Sequence, residues 1–264
     1  MANAGRSAFL AAAGLLAAFG ATLPSAAQQA ADPGRRTGFD VMSPQTQAMQ
    51  RDDAANPGML WALEGDALWR APAGDAGRSC AACHGEPASM TGVSARYPAW
   101  SEAAGRPVDL QTRINLCRVD RQNAPPFALE SRELLALATL VGRQSRGLPV
   151  SPPQDARLTP IRQAGADLYA RRQGQLDLSC ADCHDAHVGG RLGGSVIPPA
   201  TPTGYPLYRL EWQDLGSLQR RLRNCLTGMR AEPYPFGAPE YVALEAFLAE
   251  RAQGLPVETP AVRP

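Results

Sequence analysis

The sequence predicts a mostly helical protein built as two tandem modules related by internal duplication, and three observations carry that reading. A Cys-x-x-Cys-His run occurs twice, as Cys80-Ala81-Ala82-Cys83-His84 and as Cys180-Ala181-Asp182-Cys183-His184. The flanks repeat with it: Trp61, Gly65, Leu68, Trp69 and Ser79 stand 100 residues ahead of Ile161, Gly165, Leu168, Tyr169 and Ser179. The back halves repeat as well, Glu133-Leu-Leu-Ala-Leu matching Glu240-Tyr-Val-Ala-Leu and Gly147-Leu-Pro-Val matching Gly254-Leu-Pro-Val at an offset of 107.

Two thiols one helical turn apart, followed at once by an imidazole, form the attachment pattern of c-type haem. The thiols add to the vinyl groups and the histidine lies under the iron. The fold class is therefore two tandem cytochrome c-like domains with two covalently bound haem c groups. Cys80, Cys83 and His84 serve the first, and Cys180, Cys183 and His184 the second. The alternatives are a structural zinc site made from the two Cys-x-x-Cys pairs, or two disulfide-type redox motifs. Four thiolates would complete a tetrahedral zinc and leave no reason for a histidine after both pairs.

The 264 residues suffice for two modules of ordinary domain size. With 44% apolar and 19% charged residues the composition is that of a soluble globular chain. Residues 1–27 read as a signal peptide: Arg6 precedes an apolar run from Ala8 to Leu23 that closes on Pro24-Ser25-Ala26-Ala27. The run is short for a lasting membrane anchor, and export to the periplasm is also what c-type haem implies in bacteria. The 26 basic and 25 acidic residues leave a net charge of +1, so no global attraction to nucleic acid or anionic lipid is expected. Every basic residue is arginine, which removes lysine as a haem ligand.

In chain order, residues 28–56 are polar, without clear period, and read as an N-terminal extension. The first domain is expected over 57–150. A leading helix from Pro57 carries Leu60, Trp61, Leu68 and Trp69 at helical spacing and stops at Pro72. Met90 to Trp100 reads as loop, Val108 to Val119 as a second helix, and Glu133 to Arg143 as a third. A proline-rich linker is expected over 151–160, beginning as early as Gly147. The second, catalytic domain is expected over 161–256, with helices from Arg162 to Arg172, Leu215 to Leu226 and Glu240 to Ala252, and a tail over 257–264. The offset grows from 100 to 107 or more between front and back halves, which places an insertion at the glycine-rich run Gly189 to Ser195.

The sixth ligand of each iron is reached by elimination. After Met90 the first module has one soft donor, Cys117. The second has Cys225 and Met229 after its motif, His187 being too close to His184 to reach the opposite haem face. Arg113-x-x-x-Cys117 and Arg221-x-x-x-Cys225 match at an offset of 108 and nothing matches Met229, which favours Cys225. A disulfide between Cys117 and Cys225, or two inert core thiols, are the alternatives. An arginine one turn before Cys225 favours the thiolate, the reactive and metal-binding form. Arg220, Arg223 and Arg230 add a locally basic patch whose plainer meaning is a solvated helix face.

The runs Gly189-Gly-Arg-Leu-Gly-Gly-Ser-Val-Ile-Pro, Thr203-Gly-Tyr-Pro-Leu-Tyr-Arg-Leu-Glu-Trp-Gln and Met229-Arg-Ala-Glu-Pro-Tyr-Pro-Phe-Gly-Ala-Pro-Glu-Tyr closely resemble the SoxA family, the larger subunits of the SoxAX cytochromes of bacterial thiosulfate oxidation. Some members keep a disulfide in place of the first haem; the intact Cys80, Cys83 and His84 make this chain similar to the dihaem type. The resemblance implies an L-cysteine S-thiosulfotransferase that joins thiosulfate oxidatively to a cysteine of the carrier SoxY in SoxYZ, pairs with a SoxX cytochrome and passes two electrons onward. It further implies that Cys225 is the haem-ligating cysteine found as a persulfide, that Arg221 is the catalytic arginine beside it, and that the first haem, with His84 and Cys117, is remote from catalysis. The reading from a different class is a periplasmic dihaem electron carrier with no substrate site. A pure relay has no use for the glycine-rich insertion or for the arginines around Cys225.

Overall fold

The computed structural model describes Met1, Ala2 and residues 35–264, so the signal peptide expected over 1–27 lies, but for its first two residues, outside the described residues. The N-terminal extension is more ordered than its polar composition suggests. A 3-10 turn over Gly38–Val41 is followed by α1 (Pro44–Arg51), which Ser43 caps by accepting from the Thr46 N–H at 3.2 Å. From α1, Gln50 accepts the Val262 N–H at 3.0 Å, and Asn56 donates to the Pro260 carbonyl at 2.9 Å. The extension is thus tied to the C-terminal end of the chain.

Each module uses the same helices in the same order. In the first these are α2 (Met59–Arg70), the motif helix α3 (Cys80–His84), α4 (Leu110–Gln122) and α5 (Arg132–Arg143). In the second they are α6 (Thr159–Ala170), the motif helix α7 (Cys180–His184), α8 (Leu218–Gly228) and α9 (Pro239–Arg251). The first and last long helices of each module cross in close contact because a glycine lies at the crossing. A Cβ on Gly65 would fall 2.3 Å from the Ala136 carbonyl oxygen, and one on Gly165 would fall 2.1 Å from that of Ala243. Both distances are far inside van der Waals contact, so the duplicated glycine sets how closely the helices approach.

Short hairpins precede α4 and α8, and they differ from expectation. The stretch Met90 to Trp100, read as loop, follows a 3-10 turn over Pro87–Met90, holds another over Ser94–Arg96 and then enters β1 (Ala99–Ser101), which pairs antiparallel with β2 (Arg106–Val108). The glycine-rich run of the second module forms an exposed hairpin of β3 (Arg191–Leu192) and β4 (Ser195–Val196). The hairpin of β5 (Leu207–Arg209) and β6 (Asp214–Gly216) repeats that of the first module at an offset of 108. It gains a third strand, β7 (Ala261–Arg263), parallel to β5. Residues 257–264 were expected as a tail; Ala261 and Val262 are instead fully buried, because β7 satisfies the open edge of β5.

The modules meet through their own repeated sequence. Gly147-Leu-Pro-Val and Gly254-Leu-Pro-Val pair antiparallel with one another: Val150 N–H donates to Leu255 O and Gly254 N–H to Val150 O, each at 2.8 Å. A segment that pairs with its own copy is what an isologous contact between two related units produces. Residues 147–150, read as the start of a linker, are therefore part of this seam. Trp61, Leu135 and Ala136 of the first module also bury Leu215 of the second, with the Tyr208 ring 6.0 Å from Trp61.

Candidate functional site

The two motif helices begin alike. Ser79 and Ser179 cap them by accepting the N–H of Ala82 and Asp182, and Asp182 returns a bond to the Ser179 N–H. Apolar side chains surround each attachment turn. Trp69, Leu110, Ile114, Phe127 and Leu137 lie around Cys80; Leu168, Leu218, Leu222 and Leu226 lie around Cys180. Among the described residues the four motif thiols do not form a metal cluster, and all six cysteines are free. Neither a zinc site nor a disulfide from Cys117 to Cys225 is formed.

His184 is held by its Nδ1, 2.8 Å from the Pro198 carbonyl oxygen, which leaves Nε2 as the ring's open nitrogen. The ring lies beside the Cys225 thiol of α8. An imidazole oriented by a backbone carbonyl, a soft sulfur opposite it and two thiols on the same helix make a donor set that fits haem c. The corresponding residues of the first module are Cys80, Cys83 and His84, with Trp69 donating from its indole to the Gly85 carbonyl at 2.9 Å to hold the end of α3, and with Cys117 close to Cys80.

Charge distinguishes the second site. Burial pushes the Cys225 thiol up, yet the His184 ring, Arg221 and Arg209 outweigh it and hold Cys225 below the ordinary thiol range. Cys180, on the neighbouring helix, is instead pushed up to about 11, first by burial and then by the charge of Cys225. Arg221, one turn before Cys225 on α8, is half-buried and faces Cys225 and Tyr205. Arg221 acts on Tyr205 through its charge, as Arg113, its counterpart, acts on Tyr97 in the first module.

The other residues of the basic patch have structural work. Arg220 pairs with Asp214 at 3.1 Å and stacks on Trp212 at 4.4 Å, fixing the hairpin to α8. Arg223 donates to the Tyr234 carbonyl and lies over Phe236, and Arg230 is an exposed residue in the left-handed region. His187 bonds the Asp182 carbonyl through Nδ1. Met229, the competing donor, is buried in the module core among Leu168, Tyr169 and Leu226.

Sequence reasoning missed three members of the site: Tyr205, Arg209 and the carbonyl of Pro198. Tyr97-Pro98 and Tyr205-Pro206 repeat at the same offset of 108 as the two arginines and the two cysteines, so the tyrosines were findable by extending that alignment.

A family model described as SoxA/TsdA, cytochrome c domain, matches residues 64–150 and 164–257. The L-cysteine S-thiosulfotransferase subunit SoxA of Rhodovulum sulfidophilum is 37% identical over 229 residues, spanning 86% of this chain and 80% of the relative. That of Paracoccus pantotrophus is 32% identical, spanning 86% and 78%. The crystal structure of SoxXA from P. pantotrophus superposes with a TM-score of 0.83 at 32% identity, covering 86% of each chain.

Proposed function

The chain belongs to the SoxA family of cytochrome c proteins, and on that premise we propose how its second module acts as an L-cysteine S-thiosulfotransferase. The outer sulfur of thiosulfate is joined to a cysteine thiol of the SoxYZ carrier. One sulfur–sulfur bond forms, and one proton and two electrons leave. Haem, when bound, supplies the electron acceptor for that oxidation. Of the chain's own residues, Cys225 presents a sulfur held toward its thiolate form, Arg221 receives the sulfonate oxygens, and His184 stands opposite Cys225, oriented by Pro198. The single observation that carries this assignment is the meeting of His184, Arg221 and Cys225 at one place, where Cys225 is held below the ordinary thiol range.

Two haem c groups held covalently, at Cys80 and Cys83 and at Cys180 and Cys183, are supported by the duplicated donor sets. Export to the periplasm is supported by the leader-like sequence over residues 1–27 and by the attachment motifs. Among the described residues no helix is long and apolar enough to cross a membrane. A SoxX cytochrome is the partner, as in the SoxXA structure, and gives the second electron a place to go, because one iron accepts only one.

The test is a single reconstitution. The exported chain is expected to exceed its mature polypeptide mass by two haem groups and, with SoxX and reduced SoxYZ, to conjugate thiosulfate while reducing an external cytochrome. An increment of one haem would reject the dihaem assignment. Turnover at full rate by the chain without SoxX would reject the partner's role.

A further inference from the structure

We infer that Glu245 is a proton-operated latch between the two modules: as a neutral acid it closes the cavity at their seam, and its ionisation loosens the contact. The cavity has a volume of about 130 Å³, enough for several waters, and its walls are built from duplicated positions. Tyr97 lines it with its counterpart Tyr205, Asp109 with Ser217, and Ala138 with Glu245. Val150 and Val257 line it too, and they belong to the strand-like pairing of the two Gly-Leu-Pro-Val segments. The cavity therefore lies where the two copies meet. At one pair the symmetry breaks in kind: where the first module has alanine, the second sets a carboxyl group between the buried Leu244 and Ala246 of α9.

The groups around that carboxyl leave it short of donors. Asp109, 6% exposed at the start of α4, accepts the Thr112 N–H at 2.7 Å and a side-chain N–H of Gln219 at 2.8 Å. Glu130 accepts the Ser217 N–H at 3.4 Å. Glu245 has beside it the Gln219 amide, which already donates to Asp109. Two further oxygens in the cavity wall, Gln111 Oε1 and Thr203 Oγ1, have no hydrogen-bond partner, and both side chains are at least nine-tenths buried. A buried acceptor without a donor is costly, and a carboxyl that keeps its proton supplies one O–H to such a set.

An ionised Glu245 meets no balancing charge there. Among the described residues that line the cavity none is basic. Arg106 acts on Asp109, and Arg220 acts on Glu130 while pairing with Asp214 at 3.1 Å. Arg113 and Arg221 act on the two tyrosines. Burial, then Asp109 and Glu130, hold Glu245 well above the ordinary carboxylate range, against the opposing pull of Gln219. In an opened seam the same carboxyl meets water and ionises in its ordinary range. The closed seam thus keeps a proton that the open one has released, so closure is favoured at low pH and weakens as pH rises above that range toward the raised value.

Hydrogen exchange of the seam amides, Gly147, Val150, Gly254 and Val257, tests this in the intact haem-loaded complex, with rates corrected for the intrinsic pH dependence of exchange. In the parent their protection is expected to fall by about 10-fold to 100-fold between about pH 6 and about pH 8, since each pH unit shifts a one-proton equilibrium about tenfold. Glu245→Gln, neutral throughout, is expected to keep its protection nearly constant over that range. Asp109→Asn, which retains a capping oxygen for Thr112 but removes the neighbouring charge, is expected to show a smaller fall than the parent. Amides inside α6, which contributes nothing to the cavity wall, are expected to change little. Seam protection that is flat with pH in the parent would overturn the inference, and so would a Glu245→Gln variant that falls as steeply as the parent. A fall shared equally by α6 would assign the effect to the whole fold and reject the latch. If Glu245→Gln does not fold, Glu245→Ala, which installs the first-module residue, decides by the same readings: constant protection supports the latch, and a parent-like fall rejects it.

Discussion

Arg221→Ala, in the intact complex with SoxX, is expected to lower kcat/KM for thiosulfate by about 30-fold to about 1000-fold, while the spectra of both haems stay as in the parent. The reasoning is physical. Arg221 pairs with no motif residue through its fork and ligates nothing, so its loss leaves His184, Pro198 and Cys225 in place. What disappears is a charge-assisted contact to an anion at a half-buried position, which costs about 2 to 4 kcal/mol. Arg113→Ala is expected to leave the kinetics nearly unchanged, since Arg113 lies in the first module beside Tyr97 rather than beside Cys225. Equal and small losses from both variants would return the chain to the class of electron carriers.

Cys225→Ala is expected to abolish coupling altogether and to change the spectrum of the second haem alone. It removes the sulfur that faces His184 and the negative charge between two guanidinium groups. Those cations would then be left buried without their partner, so some loss of stability accompanies the loss of activity. Cys117→Ala is the matched control and is expected to change only the first haem, with coupling retained. Retained coupling in Cys225→Ala would remove it from the mechanism.

How much of this was legible beforehand depended on the length of each element. The helices α2, α4, α5, α6, α8 and α9 each run for three turns or more, enough for apolar spacing to declare them. The motif turns and the Arg-x-x-x-Cys repeat declare themselves by residue type. The strands β1, β2, β5, β6 and β7 are three residues each, too short for alternation to register, and β7 was read as tail because its apolar Ala261-Val262 lies among prolines. Arg209 was hidden for a related reason. It is 12 residues from Arg221 and 16 from Cys225 in sequence, and only the pairing of β5 with β6 and β7 returns it to them. The seam of the two Gly-Leu-Pro-Val segments was visible as a repeat but not as a contact, since self-pairing is a property of the symmetry and not of either segment.

The central claim is that Cys225 is both the second iron's thiolate ligand and the reacting sulfur, and low-temperature electron paramagnetic resonance of the oxidised complex tests its first half most directly. The account predicts low-spin thiolate signals for both haems of this chain, one set lost in Cys117→Ala and the other in Cys225→Ala. A single thiolate set, together with a methionine-to-iron charge-transfer band from the second haem, would contradict it and move the ligand to Met229.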